Sequence, residues 1–465
     1  MVFQNNVLSG AGGSGTTVYA IDQSIRFNEA DSPYMQKTYS GDGSRTTWSF
    51  SFWTKLGKSP PYNTTRGMFL IAYNTSSGAQ EDIRIEGSNQ QLQWFTHNDG
   101  GTGTLADLKT TQYLRDHSAW YHILCVADRT HAVASERQRM YINGQRVTDF
   151  DTETYPSKDA EGHVGKSADV HYIGSRGGNS NTRLDGYMAE IHYLDGLAYD
   201  PSFFGEFNSS GIWIPKEYTG SYGTNGFKID GRDSSDLGDD ESGNGNDFTT
   251  TGLSTDDQRS DSPTNNHATL NPLINSYPTY ANGNLEASMT VSNKWSKAFL
   301  TEVFPQSGVW YLEGQEFNNV INPATAVGII DIDVETRLDD KDLYNRLSTP
   351  MSTFTGVVVY SGPGQNIDTY YFKNGVNTST TGTPILSTSR LGFKYDADNN
   401  TFTVYDDGVQ TVNFTSVNTG NYVFGVQQAT GTSLSFRVLV DAAYWTETPS
   451  GITSANALTS KNIGS

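Results

Sequence analysis

Apolar residues along this chain alternate with polar ones far more often than they recur at helical spacing. Trp48, Phe50 and Phe52 fall at period two with Ser49 and Ser51 between them, and Ile25 and Phe27 repeat the pattern, which predicts strands with one buried face. WYHILCVAD (120–128) and RMYINGQRV (139–147) continue it. Within the second, Asn143-Gly144 signals a hairpin, because both residues tolerate the positive φ of a type I′ turn. VHYIG (170–174) and LDGYMAEIHYLDG (184–196) follow, and Asp200-Pro201-Ser202 reads as an N-cap with proline opening a brief helix. The pattern resumes in VWYLEGQEF (309–317), AVGIID (326–331), RLGFKYDADNNTFTVYDDG (390–408), YVFGVQ (422–427) and LSFRVLV (434–440), where Leu434, Phe436, Val438 and Val440 alternate. The expectation is an all-β chain with two jelly-roll or β-sandwich domains in tandem.

Composition changes between these blocks. Residues 1–18 (MVFQNNVLSGAGGSGTTV) join a short apolar and amide segment to a Gly/Ser stretch, the make-up of an anchor peptide and a flexible joint. Between about 210 and 275, Asp230, Asp233, Asp236, Asp239, Asp240, Glu241 and Asp247 lie among Gly, Ser and Asn. The expected boundaries are an anchor at 1–18, a first sandwich at 19–225, a polar connection at 226–284, a second sandwich at 285–447 and a polar tail at 448–465.

The segments SIRFNEADSPYMQ, WSFSFWTKL, WYHILCVAD, MYINGQRV and LDGYMAEIHYLDGLAY, in that order, resemble the strands of laminin-G-like or concanavalin-A-like jelly rolls. The resemblance covers about residues 20–210. It is nearest to the version found in tail fibres and other structural proteins of marine bacteriophages. LGDDESGNGNDFTTTGL and SDSPTNNHATLNPL resemble the segment that links modules in such fibres, and residues 285–445 resemble a SPRY-type β-sandwich. The resemblance implies a virion protein of tail-fibre or receptor-binding type, with capsid decoration or head fibre, and a polysaccharide-degrading glycanase, as alternatives. It further implies other virion proteins and host-surface polysaccharide as partners and a place on the virion surface, where a chain with one cysteine must draw its durability from elsewhere, homo-oligomerisation being expected.

Composition narrows the chemistry. The 465 residues exceed one ordinary sandwich. With 35% apolar residues but 12% aromatic, the cores must rest on large rings, and 47 glycines suit many tight turns. A net charge of −20 argues against a nucleic-acid partner. No apolar run reaches membrane-spanning length, and residues 1–25 lack the features of a secretory signal, so synthesis in the host cytoplasm is expected. Cys125 is the single cysteine, which leaves no partner for an intramolecular disulfide.

Nucleotide motifs fail on context. Gly10, Gly12 and Gly15 have no strand before them and no helix after, and Ala160 stands where a phosphate loop ending in Gly165-Lys166-Ser167 needs glycine. Asp331, Asp333 and Glu335 would share one strand face, resembling the alternating carboxylates of jelly-roll glycanases. The first of them is Asp rather than Glu, and a strand ending in solvated acids is the preferred reading. Asp236, Asp239, Asp240 and Asp247 are the candidate ligands for Ca²⁺, with solvated charge preferred. Glycan recognition on sandwiches uses exposed rings helped by Asn, Asp and Arg, and Trp94, Phe95, His97, Asn98, Asp99 and Arg183 are the candidates. Trp94 and Phe95 are neighbours, so a strand turns only one of them inward. Phe3, Val7 and Leu8, with Gln4, Asn5 and Asn6, form the candidate virion anchor.

Overall fold

The structure, a computed structural model, describes residues 19–57, 66–86, 90–273, 278–291, 296–316, 325–333, 353–361, 367–381, 390–428 and 432–463. The expected anchor, residues 1–18, lies outside these, as does Glu335. The described chain divides between Asn266 and His267 into two compact units.

The strands of the first unit are, in chain order, β1 (Ser24–Phe27), β2 (Tyr34–Lys37), β3 (Thr47–Leu56), β4 (Arg66–Tyr73), β5 (Gln80–Glu86), β6 (Gln91–His97), β7 (Thr104–Tyr113), β8 (Tyr121–Asp128) and β9 (Gln138–Ile142). They continue with β10 (Gln145–Arg146), β11 (Phe150–Thr154), β12 (Val170–Gly174), β13 (Gly186–Asp195), β14 (Gly205–Phe207), β15 (Trp213–Pro215), β16 (Phe227–Ile229), β17 (Thr249–Thr251) and β18 (Gln258–Arg259). One sheet runs β10-β9-β8-β3-β13-β1-β18, with β16 also on β13, and the facing sheet runs β11-β7-β6-β5-β4-β12-β2-β17.

Period two governs the packing. Trp48, Phe50, Phe52 and Leu56 turn inward from β3 and meet Phe69, Ile83, Trp94 and Leu108 of the facing sheet in one apolar cluster, and the Trp48 and Trp94 rings lie 4.9 Å apart. The Asn143-Gly144 hairpin forms as expected, with φ of 49° and 74°. Asp200 caps a single 3-10 turn by accepting the Ser202 N–H at 2.9 Å.

The first boundary falls elsewhere than expected. Residues 226–266 are no polar connection: β16 pairs with β13, β17 with β2 and β18 with β1. Phe227, Ile229, Leu237 and Phe248 enter the first core, and Arg26 pairs with Asp257 at 2.8 Å where both are buried. Strands of two or three residues are too short to show a period, and the acids between them hold turns.

The second unit is again a pair of antiparallel sheets. One orders Thr279–Ala281, Glu286–Val291, Thr432–Leu439, Val309–Glu316, Arg390–Asp396, Thr401–Asp406 and Val409–Phe414. The other orders Ser296–Phe299, Tyr422–Gln428, Thr325–Asp331, Thr355–Ser361, Ile367–Lys373 and Val376–Thr381. The expected polar tail is part of this unit. Ala457 and Leu458 are buried, and Ala457 bridges to Tyr311. The buried Glu313 carboxylate accepts the N–H groups of Thr446 and Glu447, both at 3.1 Å. A charged acceptor of that strength fixes this stretch of backbone against the sheet.

Candidate functional site

The outer face of the sheet around β5 and β6 carries the candidate site. In QEDIRIE, Ile83 and Ile85 turn inward, which places Gln80, Asp82, Arg84 and Glu86 outside; in QLQWFTH, Leu92 and Trp94 turn inward, which places Gln93, Phe95 and His97 outside. Cross-strand pairing sets these in rows. Met68, Arg84, Gln93 and Lys109 form one, and Ile71, Asp82, Phe95 and Asp107 the next.

These rows floor an open cleft of about 870 Å³, which Arg176, Asn179, Asn181 and Thr182 also line. Four cations (Arg66, Arg84, Lys109, Arg176) and two carboxylates (Glu86, Asp107) line it. Arg84 is held by Asp82 at 2.7 Å, Glu86 at 2.8 Å and Gln93 at 2.9 Å, and its guanidinium covers the Phe95 ring at 5.2 Å. Gln93 donates to Asp107 at 2.5 Å. Arg176 stacks over Tyr73 at 4.8 Å and donates to Gln80 at 3.3 Å. Lys109 makes no ion pair among the described residues. Burial pushes the Asp82 carboxyl up, with Arg84 and Gln80 pulling the other way. Asp82 lies under the floor and does not line the cleft. Burial also lowers His97, which keeps the ring neutral near pH 7.

The expected glycan-binding group divides. Phe95 and His97 line the cleft. Trp94 is fully buried, and its Nε1 donates to Glu81 at 3.0 Å, so of the two adjacent rings it is the core residue. Asn98 holds the β6–β7 turn by accepting the Thr102 and Gly103 N–H groups. Asp99 pairs with Lys166 at 3.0 Å, a hydrogen bond that lowers its carboxyl. Arg183 is spent on the carbonyls of Gly178 and Glu29. None of these last three lines the cleft.

The two less-favoured acidic sites do not assemble among the described residues. The strand carrying Asp331 stops there, and Asp331 accepts the Asp333 N–H at 2.9 Å while Asp333 accepts from Asn421 at 2.6 Å. These two acids close a turn instead of sharing a strand face. In the acidic segment, Asp240 accepts the N–H groups of Lys228, Ser242 and Asn246. Asp236 accepts that of Gly238, and Asp247 that of Asp240. Asp239 is pushed up by burial and then by the neighbouring charges of Asp247 and Asp236. Among the described residues no group of three or more His, Cys, Asp or Glu is placed to hold a metal ion.

The sequence reading missed Arg84, Gln93, Lys109, Tyr73 and Arg176. A signal for the first two existed, since alternation in QEDIRIE and QLQWFTH already separates an apolar face from one of charges and amides. Nothing local brings Tyr73 and Arg176 to them.

The fold of the first unit is that of a lectin-like β-sandwich. Residues 30–197, from β2 to the end of β13, match the family described as Concanavalin A-like lectin/glucanases superfamily, and the first unit carries a domain of that kind. No curated protein matches the chain. Among solved structures, the chain is similar to a Bacteroides ovatus protein proposed to bind carbohydrate, at 13% identity and a TM-score of 0.32 over 50% of this chain and 58% of that one. It thus spans little more than half the length of that protein. It is also similar to domains LG4-5 of the mouse laminin alpha1 chain, at 9% identity and a TM-score of 0.32 over 92% of this chain and 90% of that one. The SPRY domain of human HERC1 gives 13% identity and a TM-score of 0.26 over 33% of this chain and 87% of that one.

Proposed function

We propose that the cleft on the outer face of β4 to β7 binds a glycan, and that the chain is a non-enzymatic binding protein of a bacteriophage virion, of tail-fibre or receptor-binding type. The observation that carries the binding reading is the row of Arg84, Gln93 and Lys109 beside the Phe95 ring, with Arg176 stacked over Tyr73 in the same lining. A sugar offers hydroxyls at its edge and C–H groups on its faces. Amides and guanidinium groups satisfy the first, and a ring satisfies the second. The two carboxylates of the cleft are already acceptors, Glu86 from Arg66 and Arg84, and Asp107 from Gln93, which suits recognition better than proton donation. The ordered resemblance of five segments to phage fibre proteins supports the virion reading.

Binding of the full chain to arrayed bacterial surface polysaccharides tests the first part. Phe95→Ala and Gln93→Ala, each removing one cleft contact, are expected to weaken binding at least tenfold, and binding untouched by both would end the assignment. Incubation with the bound polysaccharide is expected to release no reducing ends; release would class the protein as a glycanase. Immunogold labelling of phage particles is expected to mark the tail, and labelling of the capsid would favour the decoration reading.

A further inference from the structure

Lys55 projects from the outer face of β3 into a dry site at the end of the first unit. Its Nζ donates to Asp261 Oδ2 at 2.9 Å and to Asn266 Oδ1 at 2.8 Å. Lys55, Asp261 and Asn266 are 0%, 5% and 4% exposed. The second carboxylate oxygen, Asp261 Oδ1, accepts from Trp120 Nε1 at 3.0 Å, and Asn266 Nδ2 donates to the Ser118 carbonyl at 2.8 Å. That last bond sets the orientation of the amide, because only with the nitrogen toward Ser118 does the carbonyl face the lysine. Trp53, Trp120, Tyr187 and Ile21 form the apolar cluster beside the site.

The turn that carries both acceptors is fastened. Ser24 Oγ donates to the Asp261 carbonyl at 2.6 Å, Ser262 and Asn265 exchange backbone hydrogen bonds at 3.2 and 3.0 Å, and the Ile21 N–H donates to Thr264 Oγ1 at 3.0 Å. The amide carbon lies one C=O length, about 1.2 Å, from the oxygen that Nζ already touches, so amine and carbon are within about 4 Å. Reaching bonding distance takes a small shift of groups already fixed face to face, the circumstance in which effective molarities become large. Asp261 touches the amine and is placed to move its protons, and the site keeps out the water that would compete as nucleophile.

We propose that Lys55 and Asn266 condense spontaneously into an intramolecular isopeptide bond, with Asp261 as the acid–base group. The Nζ–Cγ bond forms and the Cγ–Nδ2 bond breaks. Of the three protons on the lysine ammonium, one stays on the new amide nitrogen, and Asp261 passes the other two to Nδ2, which leaves as ammonium. Nothing is oxidised or reduced, and Asp261 ends as the carboxylate it began as. The crosslink ties the last residue of the first unit to a strand paired on both sides, in a chain whose only cysteine is buried.

Intact mass of the denatured full chain tests this without reference to stability. The expected value is below the sequence mass by one ammonia, about 17 Da, as for any condensation that expels ammonia, and digestion is expected to yield one branched peptide joining Lys55 to Asn266. Lys55→Met, Asn266→Ala and the near-isosteric Asp261→Asn are each expected to show the full sequence mass. A folded native chain at full mass overturns the proposal. So does ammonia loss that persists in Lys55→Met, which would mark a succinimide at an asparagine, and so does loss of water with the branch at Asp261.

Discussion

Trp94 and Phe95 are chemically alike and adjacent, yet the pleat gives them opposite work. Trp94→Ala opens a void beside Trp48 and strips a donor from the buried Glu81, and is expected to cost about 3–5 kcal/mol in urea unfolding. Phe95→Ala lies on the cleft face and is expected to leave the unfolding midpoint nearly unchanged while removing glycan binding. The sequence specified that one ring must be exposed but not which, because the choice rests on Glu81 and Trp48 reaching the same side. His171 carries a pH prediction. It is buried, its Nε2 accepts the Gly165 N–H at 2.9 Å, and burial lowers it to about 4 from 6.5 despite Asp169. Between those values the unfolded chain binds a proton that the folded one refuses, so stability is fully present above pH 6.5 and falls as pH drops toward 4. A proton placed on Nε2 would face the Gly165 N–H, a donor that can accept no hydrogen bond from it. His117 and His122, lowered by burial to about 4 and about 3, act in the same sense. His171→Gln is expected to flatten the dependence of unfolding free energy on pH in this window by on the order of 2 kcal/mol. An unaltered slope would show that His171 does not contribute.

At the scale of elements, long strands were legible and short ones were not. β3, β8 and β13 announce themselves by alternation over eight or ten residues, whereas β16, β17 and β18 have only two or three each. Asp, Asn and Gly between them gave the composition of a linker, although here those side chains accept backbone N–H groups and hold successive turns. The consequence is testable by truncation. A fragment of residues 19–225 lacks Phe227, Ile229 and Phe248 from its core and leaves Arg26 without Asp257, and is expected to unfold at far lower urea than residues 19–266. Asp257→Ala in the full chain isolates the electrostatic part. It strands a buried guanidinium and is expected to cost about 3–5 kcal/mol. The carboxylate run at 331–335 left two readings open for the complementary reason, since alternation continues in the sequence after the strand has ended at Asp331, and the preferred one, a strand ending in acids, agrees with that strand end. The cleft lay between these extremes: its rows on β5 and β6 follow from period two, while Tyr73 and Arg176 join them only through the crossing from β4 to β12.

Across the whole molecule, apolar side chains sort into cores that respect the division at Asn266. The large cluster built on Phe299, Leu312, Ile329, Phe393, Phe424 and Phe436 draws only on residues beyond 267. The clusters around Trp48, Leu124, Trp53 and Met68 draw only on residues before it. Two buried acids are satisfied within their own units, Glu81 through Arg129, Trp94 and the N–H groups of His163 and Val164, and Glu313 through Arg390 and the returning C-terminal segment. Cooperative unfolding follows the extent of a shared core, so calorimetry of the full chain is expected to resolve two transitions. Residues 19–266 and 267–463, prepared separately, are each expected to reproduce one of them. The second fragment must keep its last residues, because Ala457 and Leu458 are buried against it, and ending it at residue 447 is expected to lower its transition by several degrees while leaving the other unmoved. A single transition in the full chain, absent from both fragments, would mean that the two cores do not melt as separate units.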